Sequence, residues 1–555
     1  MQELGRSCGR GLSPRLRRLL AGRLHLQPLS PAPGTDRGGA WNPWSRSIPS
    51  RTMSDHASPR GLGYEDAIEA LNSLQSNAAY ITDRTLGKRE NGFSFTKKYS
   101  AMIGLGPNEL SNLSVIHVAG TKGKGSTSAL CESILRHNGF RTGFFSSPHL
   151  VSVRERIKIE GKSISREKFT RYFWEIFRAM EEKKDLNTRM PPYFVFLTIM
   201  AFKVFLEEKV DVAILEVGIG GEQDSTNILQ NVSVVGITSL GIDHTALLGN
   251  TLSSIAWQKA GILKPTAVGY TVPDHTEEAL KVLAERSQER KCPLLICPPL
   301  DKYTWPDTPS RQAASSLFRT QKLNASLALQ LTNAWMQRNR NSGTPKPAVN
   351  LNLKEASPFC VSQETATGLF SCRWPGRMQI LESDCKRIKY FIDGAHTVDS
   401  MAACVEWYSK HRPLRQGVKH ALLFNMTGDR DRLNIIKPLL ELKFDKVMFS
   451  PNVASSSRGE NQNLRVPLSN QLQQTQDLHD LWVSQTSLRE NNKNSDNQLQ
   501  TNTSVKHCVL EALAELQNEE EEWCVLVTGS LHLVGAVLSI VDPTLEKSEK
   551  SWAHG

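Results

Sequence analysis

Residues 114–126, SVIHVAGTKGKGS, constrain the fold more than any other stretch of this chain. The β-branched run at 115–118 predicts a buried strand, and a glycine-rich loop follows it directly. We expect a helix over 128–137, ended by Gly139. Strand, glycine loop and helix cradle phosphate groups, because backbone N–H groups and the helix N-terminus face the anion. The pattern predicts a bound nucleotide, ATP or GTP.

The loop departs from the common P-loop pattern G-x-x-x-x-G-K-[ST]. Val118 replaces the first glycine, and Gly125 replaces the hydroxyl residue that follows the lysine. Lys124 still supplies a positive charge to the phosphates. Because Gly125 offers no side-chain oxygen to Mg²⁺, we expect the metal ligands to come from elsewhere in the chain.

The composition excludes several classes of protein. Hydrophobic residues make up 39% of the 555 residues and charged residues 22%, which is typical of a soluble globular protein with two or more domains. The sequence contains no apolar run long enough to span a membrane, so a transmembrane protein is excluded. Ten scattered cysteines without a C-x-x-C pair indicate reduced thiols in an intracellular protein.

The positive charge is concentrated at the amino terminus. Residues 1–52 hold nine arginines and two acids, which is +7 of the total +11, and leucines alternate with arginines at 15–24. This pattern predicts a mitochondrial presequence, and the alternative is a disordered basic tail, which the prolines of the segment suit. Met53 follows the segment and could start a form that lacks it. The remaining +4 argues against a nucleic-acid-binding surface.

The segment up to residue 340 predicts a parallel α/β sheet. A first helix is expected at 64–74, and strands are expected at 141–146, 210–217 and 232–238. Each of these strands runs into a polar or glycine-rich motif, and ligands of parallel sheets bind beyond the carboxyl ends of the strands. We therefore assign 62–340 to an ATP-binding domain.

A second α/β set follows a helix predicted at 323–336. Its strands are expected at 388–392, 421–424, 446–449 and 524–527. Residues 341–370 are polar with frequent Pro and Gly and predict a linker, and 371–545 predicts a smaller domain. Within it, 454–506 is rich in Ser, Asn and Gln, which predicts a long, partly disordered insertion.

Nine motifs occur in the order found in folylpolyglutamate synthases. They are SSPHL at 146–150, ER at 155–156, EVGIGG at 216–221, LGIDH at 240–244, WQKAGI at 257–262, WPGR at 374–377, DGAH at 393–396, TGDRD at 427–431 and VTGSLHLVG at 527–535. From about 62 to 540 the chain resembles the animal members of this family, within the Mur ligase superfamily. The resemblance implies a two-domain Mur-ligase-like α/β fold, with a P-loop ATPase domain and a smaller Rossmann-like carboxy-terminal domain.

Three residues at predicted strand ends have the chemistry of a Mg²⁺ site. Ser147, Glu216 and His244 offer a hydroxyl, a carboxylate and an imidazole, which phosphate oxygens and water would complete. Taken singly, a strand-terminal carboxylate or a lone histidine is more often structural. The resemblance implies that all three hold the metal.

Other residues are assigned to ATP and to catalysis. Lys124 would neutralise the phosphates, together with Gly123, Gly125 and Ser126 of the loop. Lys259 lies in a helical run, where the pattern alone indicates a solvated lysine. The resemblance implies instead that Lys259 is carbamylated and helps position a second metal.

Three residues of the second domain complete the predicted site. The resemblance implies that Arg377 reaches an ATP phosphate, Asp393 the sugar or base side of the nucleotide, and His396 the transferred phosphate. On their own, WPGR and DGAH are turn signals with exposed charges. Thr320-Gln321 stands where the family often has His-Gln, which leaves the adenine contact undefined.

The implied function is ATP-dependent addition of L-glutamate to the γ-carboxylate of tetrahydrofolate and folylpolyglutamates through an acyl phosphate. ATP and Mg²⁺ are the implied cofactors, and a monovalent cation such as K⁺ is a further candidate. We expect a monomer whose partners are reduced folates, L-glutamate and ATP, with no nucleic acid and no stable membrane insertion. Initiation at Met1 would give a mitochondrial form, in the matrix or associated with the inner membrane, and initiation at Met53 a cytoplasmic form.

Two alternatives stay open at this point. Within the class, the motifs also suit a dihydrofolate synthase or a bifunctional enzyme, which a dihydropteroate acceptor would distinguish. From another class, a P-loop NTPase could act as a nucleic-acid-binding switch, which a filter-binding assay would reveal.

Overall fold

Two mainly parallel sheets form the framework of the computed structural model. It describes residues 62–74, 91–184, 189–340, 349, 352–384, 386–427, 431–455, 467–491 and 502–550. The predicted presequence at 1–52 and Met53 lie outside the described residues.

The first sheet has nine strands: β1 Val115–Ala119, β2 Thr142–Phe145, β3 Ile157–Ile159, β4 Lys162–Ser163, β5 Val212–Glu216, β6 Val232–Ile237, β7 Val268–Thr271, β8 Leu294–Ile296 and β9 Lys354–Glu355. Their order is β4-β3-β2-β5-β1-β6-β7-β8-β9. The central β1 pairs in parallel with β5 and β6, while β3 and β4 form an antiparallel edge. The phosphate loop therefore leaves the middle of the sheet.

The second sheet has six strands: β10 Gln379–Glu382, β11 Ile388–Ile392, β12 Val418–Phe424, β13 Lys446–Phe449, β14 Asn502–Val505 and β15 Glu522–Thr528. Their order is β10-β11-β15-β12-β13-β14, and β10 is the antiparallel strand at one edge. The two sheets confirm the predicted α/β class with a larger and a smaller sheet.

Helices cover the sheets. Before residue 371 they are α1 Tyr64–Ser73, α2 Gly92–Met102, α3 Pro107–Leu110, α4 Lys124–His137, α5 Arg166–Lys183, α6 Tyr193–Glu207, α7 Thr245–Leu248, α8 Leu252–Ala260, α9 Glu277–Glu289, α10 Thr308–Ser316, α11 Arg319–Arg340 and α12 Gln363–Phe370. After it they are α13 Val398–His411, α14 Arg432–Ile436, α15 Leu468–Asn491, α16 Val509–Asn518, α17 Leu531–Val541 and α18 Glu546–Lys550. Short 3₁₀ turns occur at Val153–Arg156, Ser225–Ile228, Leu300–Lys302 and Leu439–Glu441. None of these described helices is long and apolar enough to cross a membrane.

The core lies on both faces of the first sheet. Along β1, Val115 and Ala119 belong to the cluster on one face, and Ile116 and Val118 belong to the cluster on the other. This alternation is the period of a strand, and burial on both faces is what a central parallel strand requires. It explains why the β-branched run was visible in the sequence.

The helix after the phosphate loop begins earlier than predicted. It starts at Lys124 instead of residue 128, because Gly123 takes a left-handed conformation with φ of 88° and serves as its N-cap residue. Gly139, with φ of 84°, follows its last turn, as the sequence predicted. Lys124, Gly125 and Ser126 therefore lie in the first helical turn, where the backbone N–H groups lack helical partners.

The predicted linker is wrong for residues 354–370. Strand β9 pairs with β8, and α12 packs on α4, where Ser133 Oγ donates to Gly368 O at 2.6 Å. Ala366 and Leu369 are buried in the core of the first sheet. Two buried apolar positions in a short, partly polar helix gave too weak a periodicity to predict it. The first sheet and its helices thus continue to residue 370.

The segment 454–506, predicted as a partly disordered insertion, contains a helix at 468–491 and a strand at 502–505. Helix α15 buries Leu478 and Trp482, and β14 pairs with β13. The buried stripe of α15 also contains Gln471 and Thr475. Because half of this stripe is polar, its helical period did not show as hydrophobicity. Helix α2 was not predicted either.

Candidate active site

A cavity of about 740 Å³ collects the predicted site residues. Its walls include loops that follow strands of both sheets. Ten of the eleven predicted residues line it: Gly123, Lys124, Gly125, Ser126, Ser147, Glu216, His244, Arg377, Asp393 and His396. Lys259 is the predicted residue that is not part of the wall.

The phosphate loop is built around two glycines with positive φ. A Cβ atom on Gly120, at φ of 147°, would lie 1.8 Å from Thr238 Oγ1. One on Gly123 would lie 2.2 Å from Asn324 Oδ1. Both the conformation and the space therefore require glycine. The backbone N–H groups of Thr121 and Lys122 donate to Ser239 O at 3.0 and 3.1 Å, which fixes the loop against the segment after β6.

Lys259 lies behind the phosphate loop. Its Nζ donates to Gly120 O at 2.7 Å, and Lys124 Nζ donates to the same oxygen at 3.0 Å. Lys259 is 3% exposed, so the solvated helix lysine indicated by the pattern is wrong. Burial lowers the pKa of Lys259 to about 7, and the positive charge of Lys124 acts in the same direction. The amine is therefore partly neutral near neutral pH.

Glu216 ends β5 beside the loop. Its Oε2 accepts a hydrogen bond from the backbone N–H of Ser147 at 3.1 Å. Burial raises the pKa of Glu216, whereas the charge of Lys124, the Ser147 N–H and the charges of Arg377 and Arg156 lower it. A Cβ on Gly125 would be 3.3 Å from Glu216 Oε2. The glycine after the lysine thus leaves room beside this carboxylate.

His244 meets the same cavity from the segment after β6. It precedes α7 with φ of 52°, and its side chain is 43% exposed, with Nε2 3.7 Å from Asp243 Oδ2. Among the described residues, no three His, Cys, Asp or Glu side chains form a metal-binding group. The three predicted Mg²⁺ ligands line the same cavity and supply one hydroxyl, one carboxylate and one imidazole.

The second sheet contributes Arg377, Asp393 and His396. Asp393 follows β11, and its Oδ2 accepts from Met378 N at 2.8 Å. Burial raises the pKa of Asp393, while the charge of Arg377 lowers it. His396 Nδ1 lies 2.8 Å from Gly394 O, so this nitrogen carries the proton. These residues place one cation, one carboxyl group and one imidazole opposite the phosphate loop.

Arg156 and Asp224 also line the cavity, although no role was predicted for either residue. Arg156 is buried and donates from Nε to His149 Nδ1 at 2.9 Å. Asp224 accepts from Thr226 N at 3.0 Å, Thr226 Oγ1 at 2.6 Å and Ile219 N at 3.0 Å, which shapes the loop after β5. Arg156 belongs to the ER motif and Asp224 closely follows EVGIGG, so these motifs were the sequence signal that could have identified both residues.

Thr320 and Gln321, the positions that differ from the family pattern, also line the cavity. Gln321 Oε1 accepts from Phe318 N at 2.9 Å and so caps the start of α11. Its carbonyl oxygen has a structural partner within the chain.

No protein-family model matches the chain. The human protein named mitochondrial folylpolyglutamate synthase is 40% identical over 550 residues, covering 88% of this chain and 93% of that protein. The folylpolyglutamate synthase of Saccharomyces cerevisiae is 36% identical over 501 residues, covering 87% of each.

Solved structures share the fold. E. coli FolC in complex with DHPP and ADP superposes with a TM-score of 0.61 at 23% identity, covering 87% of this chain and 98% of that chain. Folylpolyglutamate synthase from Thermotoga maritima gives 0.60 at 21% identity, covering 88% and 99%. Because 88% of this chain aligns with the human protein at 40% identity, the chain belongs to the folylpolyglutamate synthase family.

Proposed function

We propose that the chain carries out the reaction of its family at this cavity. ATP is used to join L-glutamate to the γ-carboxylate of reduced folates and folylpolyglutamates, with release of ADP and phosphate. The observation that carries the proposal is the wall of the cavity, which combines the phosphate loop with Arg377, Asp393 and His396. One ATP can thereby meet charged groups from both sheets.

The reaction needs positioning and charge neutralisation more than a side-chain nucleophile. A folate carboxylate oxygen attacks the γ-phosphorus, the bond to ADP breaks, and an acyl phosphate forms. The glutamate amine then attacks the acyl carbon, loses a proton and displaces phosphate. Lys124 and the N-terminus of α4, with Gly123, Gly125 and Ser126, would hold the phosphates and reduce repulsion between the two anions. We assign Arg377 to a phosphate, Asp393 to the sugar or base side, and His396 to the transferred phosphate.

Ser147, Glu216 and His244 would hold Mg²⁺. The buried Glu216 carboxylate suits this hard cation, and Lys124, Arg377 and Arg156 all favour its ionised form. Mg²⁺ bound there would neutralise charge on the phosphate oxygens. Gly125, which supplies no ligand, leaves the space that Glu216 faces.

We assign Lys259 to carbamylation. A lysine amine reacts with CO₂ in its neutral form, and the pKa of about 7 makes that form abundant at mildly alkaline pH. The product carbamate would carry a negative charge close to Lys124. Intact-protein NMR with ¹³C-labelled CO₂ tests the assignment, and absence of a carbamate signal that depends on Lys259 would contradict it.

We place the domain boundary at residue 371, with 62–370 as the ATP-binding domain and 371–545 as the second domain. The pairing of β9 with β8 supports this shift from the linker expected at 341–370. We infer a monomer, because one chain supplies both walls of the cavity. Size-exclusion chromatography with light scattering measures this directly.

The human, hamster and bovine relatives are named mitochondrial. We propose mitochondrial delivery of the form that starts at Met1, to the matrix or the inner membrane, and a cytoplasmic form that starts at Met53. Imaging each form, and the Met1 form with its presequence arginines replaced by Glu, tests this. Import that persists after the replacement would contradict it.

One incubation tests the activity itself. Purified protein with ATP, Mg²⁺, tetrahydrofolate and labelled L-glutamate should yield labelled folylpolyglutamate and ADP. A parallel reaction with dihydropteroate as acceptor distinguishes a dihydrofolate synthase or bifunctional enzyme. Absence of product with both acceptors would overturn the proposal. Retention of nucleic acid by the protein in a filter-binding assay would favour the alternative of a nucleic-acid-binding NTPase switch.

A further inference from the structure

An ion pair joins the two walls of the cavity. Lys122 Nζ, in the phosphate loop, contacts Asp399 Oδ2, in the first turn of α13. Lys122 follows the central strand of the first sheet, and Asp399 follows β11 of the second. Both residues line the cavity, two positions before Lys124 and three positions after His396.

Both ends of this pair are attached to firmly held backbone. Thr121 Oγ1 donates to Gly241 O at 3.0 Å, and Lys122 N donates to Ser239 O at 3.1 Å. On the other side, Thr397 and Ser400 form a reciprocal capping box around Asp399. The negative charge also lies at a helix N-terminus, where it is favoured. The contact therefore relates two fixed backbones instead of two mobile loops.

The pair is too exposed to matter much for folding. The side chains are 29% and 86% exposed, and pairs of this kind contribute little to stability. Its position is the distinctive property, because it relates the phosphate loop to the helix that follows the Asp393 and His396 segment. Because the pair connects the two walls, even a small stabilising free energy changes the population of conformations in which the walls lie at the correct separation.

We propose that Lys122 and Asp399 are positioning residues, whose ion pair holds the phosphate loop and α13 at the separation that lets one ATP contact both walls. This rests on the proposed function. It also gives Lys122, the other lysine of the phosphate loop, a different task from Lys124. Lys124 neutralises phosphate, whereas Lys122 is directed to a carboxylate of the opposite wall.

A double-mutant cycle tests the proposal in the full chain. Lys122→Gln and Asp399→Asn should each raise the KM for ATP about two- to five-fold, the range of exposed ion pairs. The double variant should be no worse than either single variant, because the second change has no pair left to break. Reversal in Lys122→Glu/Asp399→Lys should restore affinity relative to Asp399→Lys alone. The wild-type KM should also rise with salt more steeply than that of Asp399→Asn.

Controls separate this contact from folding and from the activity. Glu522→Gln breaks the exposed Arg415–Glu522 pair outside the cavity wall and should leave the KM for ATP unchanged. Thermal unfolding midpoints of the cycle variants should agree within about 2 °C. Additive effects in the cycle, or an unchanged KM in Asp399→Asn, would overturn the proposal while wild-type product formation upholds the activity. Absence of wild-type product would instead count against the proposed function. The same double-mutant cycle would then be measured on the dissociation constant for ADP.

Discussion

The side-chain amines of Lys124 and Lys259 donate to the same backbone oxygen, the carbonyl of Gly120, at 3.0 and 2.7 Å. Two ammonium groups that share one acceptor repel each other, and the more buried one loses its proton more readily. Burial, and then the charge of Lys124, bring the pKa of Lys259 to about 7. The phosphate loop is therefore supported from behind by a lysine that titrates in the physiological range.

This predicts a pH-dependent stability that Lys259→Met removes. Between about pH 7 and pH 10 the unfolded chain keeps its proton on residue 259 and the folded chain does not. The free energy of unfolding of the wild type should therefore rise with pH relative to Lys259→Met. Denaturant unfolding in CO₂-free buffer at several pH values measures it. The exposed Lys281→Met is the control, and parallel pH profiles of wild type and Lys259→Met would contradict the burial of a neutral amine.

Lys124→Ala should abolish most turnover without unfolding the protein. Its ammonium group lines the cavity and would face developing negative charge on the phosphates. Removal of one such group costs roughly 10²-fold in kcat. Folate-dependent glutamate incorporation and thermal unfolding should be measured side by side, with Lys281→Ala as the matched lysine. Near-wild-type turnover would refute the role of the loop.

The proposed metal site predicts a graded series. Glu216→Ala and His244→Ala should raise the Mg²⁺ concentration needed for half-maximal activity and lower turnover. Ser147→Ala should act more weakly, since water replaces a hydroxyl and the hydrogen bond to Glu216 comes from the Ser147 backbone. Mg²⁺ titrations of activity measure all three. An unchanged Mg²⁺ requirement throughout the series would remove these residues from the metal site.

Continuous patterns made most of the fold predictable. Strand β11 matches its predicted bounds, and β1, β5 and β6 are shifted by one or two residues, because buried parallel strands are unbroken apolar runs. The location of the site followed from strands of this kind, since Ser147, Glu216, His244 and Asp393 lie at or after the carboxyl ends of β2, β5, β6 and β11. The strand ends and the family motifs together were enough to select these residues.

Contacts between distant segments were not predictable. Nothing local indicates that Lys259 lies under Gly120, or that Lys122 meets Asp399, because each depends on packing across more than a hundred residues. Helix α15 was missed for a related reason: its buried face is half polar, and its burial depends on partners in the second sheet.

Helix α15 allows a direct test of that packing. Thr475 Oγ1 accepts a hydrogen bond from Asn425 Nδ2 at 3.3 Å and donates to Gln471 O at 2.7 Å, fully buried beside the end of β12. Thr475→Val should destabilise the protein by about 1–2 kcal/mol, because a buried amide hydrogen loses a partner. Denaturant unfolding measures it, with the exposed Ser484→Ala as control. Equal stability of the two variants would mean that α15 is not docked as described.

The last prediction concerns Arg377, whose charge acts on one carboxyl group from each sheet. Arg377 favours the ionised forms of Glu216, from the first sheet, and of Asp393, from the second. Arg377→Ala should therefore lower turnover and also raise the pH at which activity appears on the acidic side, because both carboxyl groups then hold their protons to higher pH. Arg377→Lys should recover the pH profile better than the turnover, since a lysine keeps the charge but not the planar guanidinium that matches phosphate. The pH dependence of kcat in the three proteins measures this, with Glu522→Gln as a remote control. If Arg377→Ala keeps full turnover and the wild-type acidic limb, ATP is not held from both sheets, and the second sheet has a role other than nucleotide binding.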